Sequence, residues 1–255
     1  FDSYANRKGK GTHAALDRAT YFLRRHEYVM HLDVRQFFPA VDHEILLSIL
    51  SRTIGDERVI QLARKIISSG ADAQAGEYDM VYFPKDNLFA VERPRGLPIG
   101  NLTSQHWANV YLNQLDQYAK RVLKCRAYIR YVDDVLLFAN DKDALSQWKS
   151  EIVIFLQSLR LTLHETKAQS RPTSTGVPFL GFAVFPEYRR LKSANGYAFQ
   201  RRLKFMLNAC EQGALSHKDF TNRLVSWMSH AGSGDTWNLK RSLLFNAGIY
   251  GGSDG

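Results

Sequence analysis

Short apolar runs that carry acids, longer stretches with helical spacing between them, and one alternating hairpin segment predict an α+β chain. The clearest strand signal is residues 129–138, IRYVDDVLLF, where Asp133 and Asp134 sit between apolar flanks. A second is residues 30–34, MHLDV, with a single acid, Asp33. Elsewhere apolar residues recur every three or four positions, the spacing of helices that bury one face. With 255 residues, 45% of them hydrophobic, the chain can bury a core without disulfides. Its only cysteines, Cys125 and Cys210, read as small core residues of a reducing compartment.

In chain order, the first element is a basic turn, Arg7-Lys8-Gly9-Lys10-Gly11, whose glycines let backbone N–H groups approach an anion. Ala15, Leu16, Ala19, Phe22 and Leu23 then predict a helix over 12–26, with Arg24, Arg25 and His26 at its C-terminal turn. After the 30–34 strand, Pro39 marks a bend and Asp42 caps a helix through Ile45, Leu46, Ile49 and Leu50. Residues 70–95 are punctuated by Gly70, Gly76, Pro84 and Pro94; Met80-Val81-Tyr82-Phe83 hints at a hairpin there, and no chemistry is assigned to it. A Gly-Pro loop at 96–100 precedes a long helix, capped by Asn101 or Thr103, with Trp107, Val110, Tyr111, Leu115, Tyr118 and Val122 on one face.

Beyond 129–138, Trp148, Ile152, Phe155, Leu156 and Leu159 predict a helix, and 161–163 a short strand ending near Lys167. Residues 177–185, VPFLGFAVF, alternate as a hairpin turning at Leu180-Gly181. A basic stretch with Arg189, Arg190, Lys192, Arg201, Arg202 and Lys204 leads into helices through Leu203, Met206, Leu207, Phe220, Leu224, Trp227 and Met228. The Gly-rich residues 248–255 read as a disordered tail.

Adjacent carboxylates between apolar flanks repel one another and are costly to bury without a counter-charge; an exposed acidic turn is the competing reading. Asp33 on a second strand breaks the tie. Three carboxylates from two strands make an oxygen-only site suited to hard cations, Mg²⁺ or Mn²⁺, of which two can serve a phosphoryl transfer. A net charge of +9, from 34 Lys+Arg against 25 Asp+Glu, suits a polyanionic partner. No run of 18 apolar residues and no charged-then-apolar leader is present, so the sequence predicts no membrane partner and a cytoplasmic setting. The chain opens at Phe1 without methionine, which suggests that residues precede it.

Tyr131-Val132-Asp133-Asp134 resembles the YxDD box of reverse transcriptases. Leu32-Asp33 with Phe37-Phe38 resembles that family's first catalytic box, and residues 96–105, GLPIGNLTSQ, the box between them. Three boxes in the family's order carry far more weight than any one alone. The resemblance implies a right-hand polymerase fold: partial fingers at 1–28, a palm at 29–187 with a fingers-type insertion around 51–95, and a small helical thumb at 188–247. It implies synthesis of DNA from dNTPs on template RNA from a DNA or RNA primer.

By the same resemblance Asp33, Asp133 and Asp134 hold two Mg²⁺ ions, Val34 adds a backbone carbonyl, and Lys167 protonates the departing pyrophosphate. Arg7 and Lys10 contact the incoming triphosphate, and Phe38 is the steric gate against a 2′-hydroxyl. Ile99, Gly100 and Gln105 lie by the nascent base pair; Leu180 and Gly181 form the primer grip; Arg201 and Arg202 meet the duplex backbone. A palm-fold RNA polymerase and a non-catalytic RNA-binding relative are the rivals, beside a phage-defence or other bacterial retroelement reverse transcriptase of ordinary fidelity. The first needs recognition of the 2′-hydroxyl where Phe38 stands, and the second has no need of all three acids.

One departure narrows the resemblance. Retroviral members carry Gln where Ile99 stands and group II intron enzymes read QGxxxSP, whereas residues 99–105 here read IGNLTSQ. That form is similar to reverse transcriptases of diversity-generating retroelements, which implies error-prone copying at template adenines and a small basic accessory protein as partner. A lost polar contact of about 1 kcal/mol would erode selection without abolishing catalysis.

Overall fold

Side chains alternate across a strand, and here that alternation divides the molecule into two packed layers around one sheet. The computed structural model describes residues 2–71, 75–84 and 86–247. Strands β1 (Tyr28–Asp33), β2 (Tyr128–Tyr131), β3 (Asp134–Ala139) and β4 (Ser170–Pro172) form an antiparallel sheet in the order β2-β3-β1-β4. Met30, Leu32, Val135, Leu137 and Tyr128 face the larger core. Val29, Ile129, Leu136 and Phe138 face a second core beneath α1 (Thr12–Leu23).

The five apolar residues expected on the first helix are the ones α1 buries. The helix stops earlier than expected, at Leu23: Arg24 is its cap residue and sends its Nε to the Pro186 carbonyl at 2.7 Å instead of lying along the last turn. A single turn, α2 (Phe37–Ala40), then leads to α3 (His43–Ser51), where the Asp42 carboxylate accepts the Ile45 N–H at 3.0 Å. Side chains such as Leu46 and Leu50 bury fully beneath it, each contributing about 1.5–3 kcal/mol. α4 (Glu57–Ser68) packs against α3 through Ile60, Ala63 and Ile67.

Among the described residues, 80–83 enter no ladder, so the expected hairpin is absent. Phe83 buries its ring and receives its backbone hydrogen bond from no strand; its N–H goes to the Asp86 carboxylate at 2.9 Å. α5 (Leu102–Gln117) starts after Asn101, which occupies the cap position without a side-chain bond. The predicted stripe fails at its far end: a π-helical turn, Tyr118–Val122, advances the register, so Ala119 is buried and Val122 is 62% exposed.

α6 (Lys142–Ser158) covers the sheet, while 161–163, expected as a strand, makes only an isolated bridge from Leu163 to Val34. β5 (Val177–Phe179) and β6 (Phe182–Val184) form the expected hairpin, and positive φ at Leu180 (48°) and Gly181 (87°) is what a two-residue type I′ turn requires. A third strand, β7 (Arg189–Leu191), extends this sheet past residue 187. Three helices, α7 (Ser193–Glu211), α8 (His217–Ala231) and α9 (Trp237–Asn246), close a separate small core in which Phe199 stacks on Trp227 at 3.8 Å. The tail at 248–255 lies outside the described residues. No helix among them is long and apolar enough to cross a membrane.

Candidate active site

The register of two strands brings the acids together. Asp33, last in β1, is the cross-strand partner of Asp134, first in β3, and Val34 donates its N–H to the Asp133 carbonyl at 3.3 Å. Tyr131 pairs with Asp134, so Val132 and Asp133 are the two residues of a tight turn, with Val132 left-handed at φ 54°. On this face β1 and β3 change character along their length: Val29 opposes Phe138 in the apolar core, and Asp33 opposes Asp134 beyond its rim.

Burial, then the charges of Asp134 and Asp33, pushes the Asp133 carboxyl up to about 6. Burial thus disfavours the charged Asp133 carboxylate and its two acidic neighbours add repulsion, while the three acids offer only oxygen donors, which fits a hard divalent cation. Two basic side chains lie against these acids. His31 Nε2 lies 2.7 Å from Asp134 Oδ1, and Lys167 Nζ lies 3.6 Å from Asp33 Oδ2. In these side-chain positions no three His, Cys, Asp or Glu groups among the described residues converge as a metal-binding set; Asp33 and Asp134 turn to the bases instead.

Lys167, singled out by resemblance alone, lies beside Asp33 with its side chain 64% exposed. His31 was missed. Its signal was available: two positions before Asp33 in a strand, it must share that residue's face.

Around the acids, hydrogen bonds fix the neighbouring loops. Leu97 N–H donates to the Phe38 carbonyl at 2.9 Å and Gly96 N–H to that of Val41 at 2.8 Å, lacing the 96–100 loop to the turn after Asp33. Phe37 is core, and Phe38, edge-on to it at 5.5 Å, is only partly buried. Ile99 is 67% exposed, Gly100 has φ 100°, and Gln105 lies in the first turn of α5, partly buried. Gln36, left-handed at φ 46°, clamps the insertion: its amide donates to the Glu77 carbonyl at 2.6 Å and accepts from Asp79 N–H at 3.1 Å.

The basic turn hangs beside the same hairpin, since Tyr4 N–H donates to the Arg130 carbonyl and Gly11 N–H to that of Tyr4. Arg7 bonds Ser3 Oγ at 2.7 Å, and Lys10 lies 4.4 Å over the Tyr4 ring. On the β5–β6 turn, Leu180 packs on the α1 core, and the Gly181 carbonyl accepts from Lys192 N–H and the Asn195 amide; a Cβ at Gly181 would meet that amide at 2.7 Å. Arg201 and Arg202 are exposed on α7. Arg189, grouped with them by sequence, is instead committed to α1 through Asp17 at 2.7 Å and Thr20 at 3.0 Å.

The family model described as reverse transcriptase (RNA-dependent DNA polymerase) matches residues 1–184. Protein YkfC of Escherichia coli K12 is 26% identical over 226 residues, 74% of this chain and 56% of that protein. The putative COX1/OXI3 intron 1 protein of Saccharomyces cerevisiae is 23% identical, covering 71% and 27%. An uncharacterized 91 kDa protein in the cob intron of Schizosaccharomyces pombe is 29% identical over 121 residues, 47% and 13%. The chain thus spans 13% to 56% of the length of these relatives. In three dimensions it resembles apo telomerase from Candida tropicalis, with TM-score 0.50 at 13% identity over 75% of this chain and 37% of that one, so the fold is of the right-hand polymerase kind.

Proposed function

Since the chain belongs to the reverse transcriptase family, we propose that it extends a primer with dNTPs on template RNA, with Asp33, Asp133 and Asp134 holding two Mg²⁺ ions. The observation that carries this is the Asp33–Asp134 register beside Asp133, a cluster of three acids that offers only oxygen donors. Bound there, such cations would stabilise charge on the attacking and leaving oxygens.

In the reaction the primer 3′-oxygen forms a bond to the α-phosphorus, the bond to pyrophosphate breaks, and the hydroxyl proton leaves to solvent. Lys167, on its exposed flexible stem, gives a proton to the pyrophosphate. Arg7 and Lys10 attract the triphosphate, and the Phe38 ring fills the space that a 2′-hydroxyl would need. Exposed Arg201 and Arg202 meet the duplex backbone, and Leu180 and Gly181 seat the primer end. Primer extension on RNA tests this: dNTPs with Mg²⁺ should support synthesis, NTPs should not. Asp133→Ala should lower the rate about 10³-fold, near 4 kcal/mol of lost charge stabilisation. Undiminished extension by that variant would overturn the site.

The finer reading is error-prone copying of a retroelement template of the diversity-generating kind, with a small basic accessory protein as partner. The support is residues 99–105, IGNLTSQ, with Ile99 exposed in the loop laced to Phe38. Ile99→Gln should cut misincorporation at template adenines by roughly fivefold, the equivalent of about 1 kcal/mol, read by sequencing products. The intron location in two relatives' names favours a second reading, a retroelement enzyme of ordinary fidelity, for which that substitution would change nothing.

A further inference from the structure

Arg130 is the largest fully buried side chain of the molecule's described part, 1% exposed, one residue before the YVDD sequence. Its Nε and Nη2 each bond an Asp116 oxygen at 2.7 Å, a planar fork that matches the carboxylate. Tyr128 O–H adds a third bond to Asp116 at 2.7 Å. The remaining Nη1 donates to the Val132 carbonyl at 3.0 Å and to Asn109 Oδ1 at 3.2 Å. Asp116 and Asn109 both belong to α5.

Buried ion pairs of this kind are often no more stabilising than apolar side chains of the same size. What this one adds is a direction: its third arm ends on the backbone of the acid-bearing turn. Val132 is β-branched and left-handed, a conformation that persists only where the surroundings hold it. The bond to its carbonyl is such a hold, and the next residue is Asp133. The same helix begins just beyond the 96–100 loop, so turn and loop share one rigid support.

We infer that Arg130, clamped by Asp116, is a positioning residue that sets the Val132–Asp133 turn so that Asp133 and Asp134 present to the cations. This rests on reading those acids as metal ligands.

Two variants separate positioning from packing. Arg130→Lys keeps the charge beside Asp116 but lacks the fork that reaches Val132. Arg130→Met with Asp116→Leu and Tyr128→Phe replaces the network by apolar groups and leaves no charge unpaired. Each is melted, titrated with Mn²⁺ followed by electron paramagnetic resonance, and assayed for kcat and for KM toward template–primer.

The expected result is a near-native melting point in the apolar variant, weakened Mn²⁺ binding in both, and kcat reduced on the order of 10²-fold with KM unmoved, the cost of a small misplacement. Native Mn²⁺ affinity and kcat in a folded variant would overturn the inference. So would failure of both variants to fold, which would make the network a core support. Asp133→Ala in parallel tells the two ideas apart: if it still binds Mn²⁺ and extends primer, the metal-site reading fails; if it loses both while the Arg130 variants keep both, only the positioning role fails.

Discussion

Two charge clusters lie three positions apart on the β2–β3 hairpin, at Arg130 and Asp133, and they are built on opposite rules. At Arg130 one cation meets one anion, both nearly inaccessible, and Tyr128, Asn109 and the Val132 carbonyl take up the remaining bonding capacity. At the turn three carboxylates gather at the rim of the sheet, with Lys167 and His31 at their flanks and Asp133 pushed up to about 6 by burial and its acidic neighbours. The first cluster is closed on itself, its charges matched within it. At the turn, by contrast, burial and neighbouring acids disfavour the charged form of Asp133.

Breaking each cluster should therefore move stability in opposite directions. Asp116→Ala strands a buried guanidinium and should cost about 3–5 kcal/mol in denaturant unfolding. Asp133→Ala, which removes a repelled carboxylate, should leave the metal-free melting point unchanged or raise it. Equal losses in the two variants would abolish the distinction.

A smaller effect concerns the rim itself. Phe38 is packed on one side by Phe37 and partly open on the other. Phe38→Ala should raise the use of NTPs relative to dNTPs by about 10 to 100-fold, the worth of about 1–3 kcal/mol of steric discrimination, with little change in dNTP turnover. A ratio that does not move would put Phe38 in the core alone.

The smallest effect sharpens the closed rule at a second place. The Arg93 guanidinium at 2.6 Å, then the Phe83 N–H, holds the Asp86 carboxyl below the ordinary 3.8. Its folded value is the lower one, so its stabilising contribution is complete above 3.8 and disappears as pH falls through the folded value. Asp86→Asn should make unfolding free energy less acid-sensitive below about pH 4 than in the native chain. An identical acid limb in both would show that Asp86 is not held in this way.

Much of the architecture was readable along the chain because it depends on near neighbours. The buried residues of α1, the Asp42 cap of α3 and the two-residue turn at Leu180-Gly181 follow from spacing, a side-chain oxygen three residues from its donor, and left-handed φ at a glycine. The expected readings failed where distant groups compete for the same backbone. Residues 80–83 have strand composition, yet Phe83 finds a buried site and Asp86 takes its N–H. Residues 161–163 find only Val34 to bridge with. The stripe of α5 fails at a π-helical turn that no apolar count reveals.

The site divides the same way. Sequence by itself singled out Asp33 and the Asp133-Asp134 pair as acids set against apolar strand runs, because residue type and alternation are local properties, whereas Lys167 was singled out only by resemblance. Only the tertiary structure decided that Asp33 faces Asp134 in register, that His31 reaches Asp134, that Arg189 belongs to α1, and that Arg130 is locked by Asp116. Register and the pairing of buried charges depend on which surfaces meet, and that is settled by the packing of the whole chain.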